Sequence, residues 1–280
     1  MLGPDRRAIL TRHQAGIVCY HRARMTKSKV ATRLTDFFSQ KGRIPGCYNE
    51  DEFLKLERED PNVLERYAQH VLKVGIQENL GKEKMIAHAA EWVSQRLSTL
   101  KPQESRGLCR HASMTMVKVL ESLDVWCFGV NGSLSVFAPP HPENPGYHFR
   151  IKDVEGKPGH TWVIAPPFMV IDATAKFQGW PNKVRDAVPP LLMEREPTVE
   201  PPLFERWVAP PLRAVPEFLR AFDQYRKELW TWLFCYRVEK AGANVHYLPG
   251  GVALPPTDEE ADFTGISLSD IIREIRNDPR

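Results

Sequence analysis

The feature that most constrains this chain is a change of hydrophobic period just after Leu123. Upstream, apolar residues recur every three or four positions. They are Val63, Leu64, Tyr67, Ala68, Val71 and Leu72, then Ile86, Ala89, Val93 and Leu97, then Ala112, Met116, Leu120 and Leu123. That spacing puts each set on one face of a helix. Downstream come short runs rich in β-branched and aromatic residues at 125–130, 133–138, 147–151, 161–165 and 168–173, which read as strands. A block of helices followed by a block of strands predicts an α+β fold with an antiparallel sheet.

Local signals set the expected boundaries. Asp60-Pro61 reads as an N-cap followed by the first helical residue, and Gly81 as a stop. A second helix is expected over 82–97, before Lys101-Pro102, and a third from about Cys109. Asn131-Gly132 is the strongest hairpin signal in the chain and predicts a turn between the first two strands. Ala165-Pro166-Pro167-Phe168 predicts another tight connection. The proline-rich stretch 181–216 reads as an irregular wrap. Pro216 then opens an expected long amphipathic helix to Lys240, ended by Gly242, with Leu219, Phe222, Leu229, Trp232, Leu233 and Tyr236 turned to the core. Ser267 and Asp270 read as the cap of a last short helix.

Composition removes several function classes. At 42% hydrophobic residues the chain can bury a sizeable core, and a net charge of +3 favours neither nucleic acid nor an acidic ligand. The start of the chain is the exception. Arg6, Arg7, Arg12, Arg22, Arg24, Lys27, Lys29 and Arg33 stand against one acid, Asp5. This reads as a loosely ordered basic tail. A nucleic-acid arm and an organellar transit peptide are the other readings, although aromatics for base stacking are nearly absent there. No run reaches the length of a membrane span. The five cysteines (Cys19, Cys47, Cys109, Cys127 and Cys235) are odd in number, far apart and free of CxxC pairs. Neither a disulfide framework nor a zinc site is expected, and nothing asks for a cofactor. Free thiols fit a reducing, cytoplasmic setting, with export as an effector left open. Four of the five thiols read as small buried apolar groups.

Cys109 differs. Ser105-Arg106-Gly107-Leu108-Cys109 sets a thiol at a helix start, where free N–H groups and the helix dipole favour the thiolate. A base must come from elsewhere. His160 opens one expected strand and Asp172 closes the next. If 161–165 and 168–173 form a hairpin with partners summing to 333 (165 + 168), His160 faces position 173, beside Asp172. The carboxylate can then orient the ring and stabilise the imidazolium. His148 and Asp153 are the weaker alternatives for these two roles. Gln103, six residues before the thiol, is a candidate oxyanion donor besides the Cys109 N–H. His111 is expected to point away from the thiol, and Trp162 to serve the core.

The order Gly-Leu-Cys, Leu-Asp-Val, Val-Asn-Gly, Gly-His-Thr-Trp-Val and Val-Ile-Asp-Ala-Thr resembles the transglutaminase-like superfamily over residues 106–177. The resemblance implies a papain-related core, with Cys109 on a helix and His160 and Asp172 on a sheet. It also implies a Cys–His–Asp triad acting on protein or peptide substrates. Ala173 stands where family members often carry proline, and Pro-Pro-His-Pro-Glu-Asn-Pro at 139–145 is an unusual insertion. Arg106-Gly107-Leu108-Cys109 is also near the motif of the arylamine N-acetyltransferases, without their glycine-rich continuation after the aspartate. The zinc-binding CxxC pairs of peptide N-glycanases are absent.

The implied organisation is a basic arm at 1–45, a catalytic core at 46–180, a proline-rich wrap or linker at 181–215 and a helical extension at 216–280. The expected reaction is amide hydrolysis through an acyl-enzyme, by a protease or glutamine deamidase. Transamidation, the more distant N-acetyl transfer and a non-catalytic binding module on the same fold are the alternatives.

Overall fold

Aromatic packing organises the N-terminal helices of the computed structural model, which describes residues 27–42, 44–60, 62–100, 108–137, 147–149, 159–207, 213–228, 232–256 and 262–277. Helix α1 (Lys27–Gln40) buries Val30, Leu34 and Phe37 at helical spacing. Helix α2 (Asp51–Glu59) adds Phe53 and Leu56, and α3 (Val63–Glu78) adds Tyr67 and Val71. Phe37 meets Phe53 at 5.7 Å between ring centres, and Tyr48 meets Tyr67 at 5.1 Å. The expected basic tail therefore gives way to an ordered helix at Lys27, because burying that apolar stripe outweighs the scattered charges. The earlier basic residues lie outside the described residues.

Two further helices follow, the second of which lies against the sheet. Helix α4 (Glu83–Ser98) lies against α5 (Cys109–Ser122). Helix α5 buries Ala112, Met116 and Leu120 as expected, and Ser113, Met114, Val117 and Val119 as well, with Leu123 buried just past its end. It is enclosed on most sides, so its start is held by tertiary packing.

Eight strands of one antiparallel sheet follow: β1 (Phe128–Phe137), β2 (Tyr147–Phe149), β3 (His160–Ala165), β4 (Phe168–Asp172), β5 (Leu192–Glu194), β6 (Thr198–Glu200), β7 (Cys235–Lys240) and β8 (Ala243–Ala253). The order is β5-β4-β3-β1-β8-β7-β6, with β2 continuing the β3 edge of β1. The sheet curls until β5 approaches β7. Short helices α6 (Asn182–Ala187), α7 (Phe204–Trp207) and α8 (Pro216–Glu228) lie between strands, and α9 (Leu268–Asn277) packs on α4 and α5. Ser267 and Asp270 cap α9 as expected, with the Asp270 N–H donating to Ser267 Oγ at 3.2 Å. Among the described residues, no helix is long and apolar enough to cross a membrane.

Three expectations fail for physical reasons. Asn131-Gly132 makes no turn, because β1 runs straight through it with a bulge against β8. A Cβ on Gly132 would stand 2.1 Å from the Leu248 carbonyl oxygen and 2.7 Å from the Trp162 ring, so glycine is needed here for close approach. The helix expected to reach Lys240 ends at Glu228, and 235–240 is strand β7. Tyr236 and Val238 are buried while Glu239 is exposed, and Ala241 and Gly242, both at positive φ, make the two-residue turn into β8. The wrap at 181–216 supplies β5 and β6 to the sheet edges.

Gly132→Ala should lower unfolding free energy by at least about 2 kcal/mol, since backbone carbonyl and a buried ring must both move. Urea denaturation checks this, and an unchanged midpoint would contradict the close approach.

Candidate active site

The site is assembled from three elements. Leu108 precedes α5 and Cys109 is its first residue. Early helical N–H groups have no intrahelical acceptor, so they are available to an anion. His160 opens β3 and Asp172 closes β4. The β3–β4 hairpin begins with Ala165 opposite Phe168, as the sum of 333 requires, then shifts by one residue to Val163 opposite Ile171. That shift leaves the two side chains in contact: His160 Nε2–H donates to Asp172 Oδ2 at 2.6 Å. Both are fully buried, and Cys109 is 7% exposed.

The His160 ring also acts electrostatically on the Cys109 thiol. With Nε2 committed to Asp172, Nδ1 is the nitrogen left for sulfur. A single imidazole thus stands between carboxylate and thiol, bonded to the first through Nε2 and acting electrostatically on the second, which is the arrangement a proton shuttle needs.

Asp172 is held on both oxygens. Its Oδ1 accepts the Thr174 N–H at 2.8 Å, the Thr174 hydroxyl at 2.9 Å and the Ala175 N–H at 2.9 Å. The next residues brace this turn, with the Gln178 amide donating to the Thr174 carbonyl and the Trp180 indole to the Ala175 carbonyl. Capping the turn and orienting the imidazole are therefore done by opposite oxygens of one carboxylate. Oδ2 also accepts the Tyr247 hydroxyl at 3.1 Å, from β8. The sequence reading missed Tyr247, because it lies 75 residues beyond Asp172 and reaches it only through the pairing of β8 with β1. The alternation of Ala243, Val245 and Tyr247 after Gly242 is the signal that could have marked it as inward-facing.

Charge stabilisation follows the same contacts. Burial alone would lower the basicity of His160, but the Asp172 charge and hydrogen bond, with the thiol, raise it to about 10. Burial would raise Cys109, but the neighbouring His160 imidazole and its charge hold it below its ordinary value, helped by the Arg110 N–H. Burial would likewise raise Asp172, and the His160 charge and bonds, with Thr174, hold it down. These contacts push all three groups toward their charged forms, thiolate, imidazolium and carboxylate. The other thiols go the opposite way. Burial, then the Glu121 charge, pushes Cys47 up to about 12 and Cys127 well above its usual range.

His148 sits in β2 opposite Ser135, whereas the bond to Asp172 comes from His160. His111 stacks on Phe263 at 5.5 Å. Trp162 is fully buried, as expected for the core, and its ring lies 6.3 Å from that of His160 at 20°. Gln103, Asp153 and the proline-rich insertion at 139–145 lie outside the described residues. No family model, curated protein or solved structure matches this chain.

At pH 6, iodoacetamide should modify Cys109 at least about tenfold faster than Cys47 or Cys127. A thiol that titrates below 9.0 keeps more of its anion as pH falls, while one pushed up to about 12 keeps almost none. His160→Ala should erase the advantage, because burial then raises Cys109 without the opposing imidazole. Peptide mapping after limited alkylation measures both effects, and equal labelling of the three thiols would exclude an activated Cys109.

Proposed function

We propose that this chain is a thiol acyl-transfer enzyme that hydrolyses amide bonds of protein or peptide substrates. The observation that carries the reading is the buried His160 imidazole, bonded to the Asp172 carboxylate and acting electrostatically on the Cys109 thiol at the start of α5. The likeness of residues 106–177 to the transglutaminase-like superfamily supports it. Hydrolysis is favoured because water needs no acceptor site of its own.

In this reaction the Cys109 thiolate adds to the amide carbon. N–H groups of the first turn of α5 stabilise the oxyanion. The carbon–nitrogen bond breaks as the His160 imidazolium gives its proton to the leaving amine or ammonia, which leaves a thioester on Cys109. His160, now neutral, takes a proton from water as the water oxygen adds to the thioester carbon. The acid product departs and the thiolate–imidazolium pair is restored. Asp172 keeps the ring oriented and stabilises its charge without itself taking the proton.

A casein digest offers both peptide bonds and glutamine side chains. Mass spectrometry of the digest separates chain cleavage from amide-to-acid conversion, and an added primary amine reveals transamidation by its incorporation. Cys109→Ala should abolish conversion and any acyl adduct on the protein. Asp172→Asn should lower turnover by about tenfold to a thousandfold, less than the equivalent change costs a serine protease, because a thiolate depends less on its base than a hydroxyl does. Conversion that survives Cys109→Ala would reject Cys109 as nucleophile.

A further inference from the structure

The pairing of β8 with β1 brings a phenol to the carboxylate of the candidate triad. Resting on the thiol acyl-transfer reading, we propose that Tyr247 is a positioning residue of this site, holding Asp172 Oδ2 in line with His160 Nε2. Strand β8 is then part of the catalytic machinery.

The hydroxyl is what calls for a role. Tyr247 is fully buried, and phenylalanine would fill the same space without placing a polar group in the core. Its hydroxyl donates to the same Asp172 oxygen that accepts from His160. The three donors on Oδ1 fix one end of the carboxylate. Tyr247 fixes the other, so that rotation of the group would break bonds at both ends. Burial first, then the Asp172 charge, keeps the phenol protonated well above its ordinary range, so it stays a donor wherever the triad is charged.

The ring is placed by the same packing that places the imidazole. Tyr247 lies 5.1 Å from Trp162, which in turn lies along His160. The register gives the reason. Leu134 pairs with Tyr247 across β1 and β8, while Gly132 pairs with His160 across β1 and β3. Gly132 has no side chain, so the Trp162 ring can cross β1 there and touch both partners. One indole thus sets the spacing between the phenol and the imidazole.

The test needs no substrate. The rate of Cys109 alkylation by iodoacetamide at pH 6 is compared among wild type, Tyr247→Phe, Asp172→Asn and the double variant. Tyr247→Phe should slow alkylation by roughly threefold to thirtyfold, less than the full loss of a bond to a charged group because the effect reaches the thiol only through Asp172 and His160. The double variant should be no slower than Asp172→Asn alone, since a residue acting through Asp172 has nothing left to position. A Tyr247→Phe rate equal to wild type overturns the proposal, and so do losses that multiply in the double variant, which mark a general packing role. Tyr247→Met, apolar and donor-free, replaces Tyr247→Phe if the latter does not fold. If neither folds, the residue serves packing and the proposal falls. Failure of the underlying reading looks different: wild-type Cys109 would then react no faster than Cys47 or Cys127.

Discussion

The bond between His160 Nε2 and Asp172 Oδ2 joins two charges that the core would otherwise reject. An isolated ion in such a place is strongly disfavoured, and a lone buried imidazole would shed its proton. Here the imidazolium is matched by a carboxylate 2.6 Å away, and the carboxylate by further donors from Thr174, Ala175 and Tyr247. The surrounding structure follows from that requirement. The turn after β4 must present two backbone N–H groups, β8 must lie beside β1, and Trp162 must fit between its neighbours. A polar network of this kind favours one arrangement when every member is satisfied and is costly when one is missing.

The thiol depends on the same bond at one remove. Cys109 is buried enough for desolvation to raise its pKa, as burial does for Cys47 and Cys127. It goes the other way because it sits at a helix start and faces a ring whose charge Asp172 supports. The three thiols share a residue type and a buried setting, and they differ in their neighbours. The opposite shift of Cys109 is a property of the contact between α5 and β3, and the proposed chemistry rests on it.

The sheet explains how distant pieces of chain meet at this point. Strand β1 is the hub, with β3 along one edge and β8 along the other. His160 comes from one neighbour and Tyr247 from the other. Gly132 lets the hub stay thin where Trp162 crosses it. The same glycine carries a strong hairpin signal when read locally, because Asn-Gly suits a two-residue turn. The local preference loses because strands β3 and β8 together bond both edges of an unbroken β1.

Sequence alone determined the parts whose signals are local. The helical stripes of α3, α4 and α5, the strands at 161–165 and 168–173 and the tight connection between them were legible from spacing and proline, to within a residue at the strand ends. So was the placement of Cys109 at a helix start, with His160 and Asp172 on adjacent strands, to within a one-residue shift of register. Tertiary structure decided what depends on contacts between remote segments. Residues 235–240 satisfy a helical period and an alternating one, and pairing with β8 selects the strand. Strands β5 and β6 are too short to announce themselves amid prolines, and exist because β4 and β7 offer open edges. Tyr247 joins Asp172 only once β8 has docked on β1. A hydrogen bond across 75 residues leaves no periodic trace in a sequence, because its two ends are brought together by the packing of everything between them.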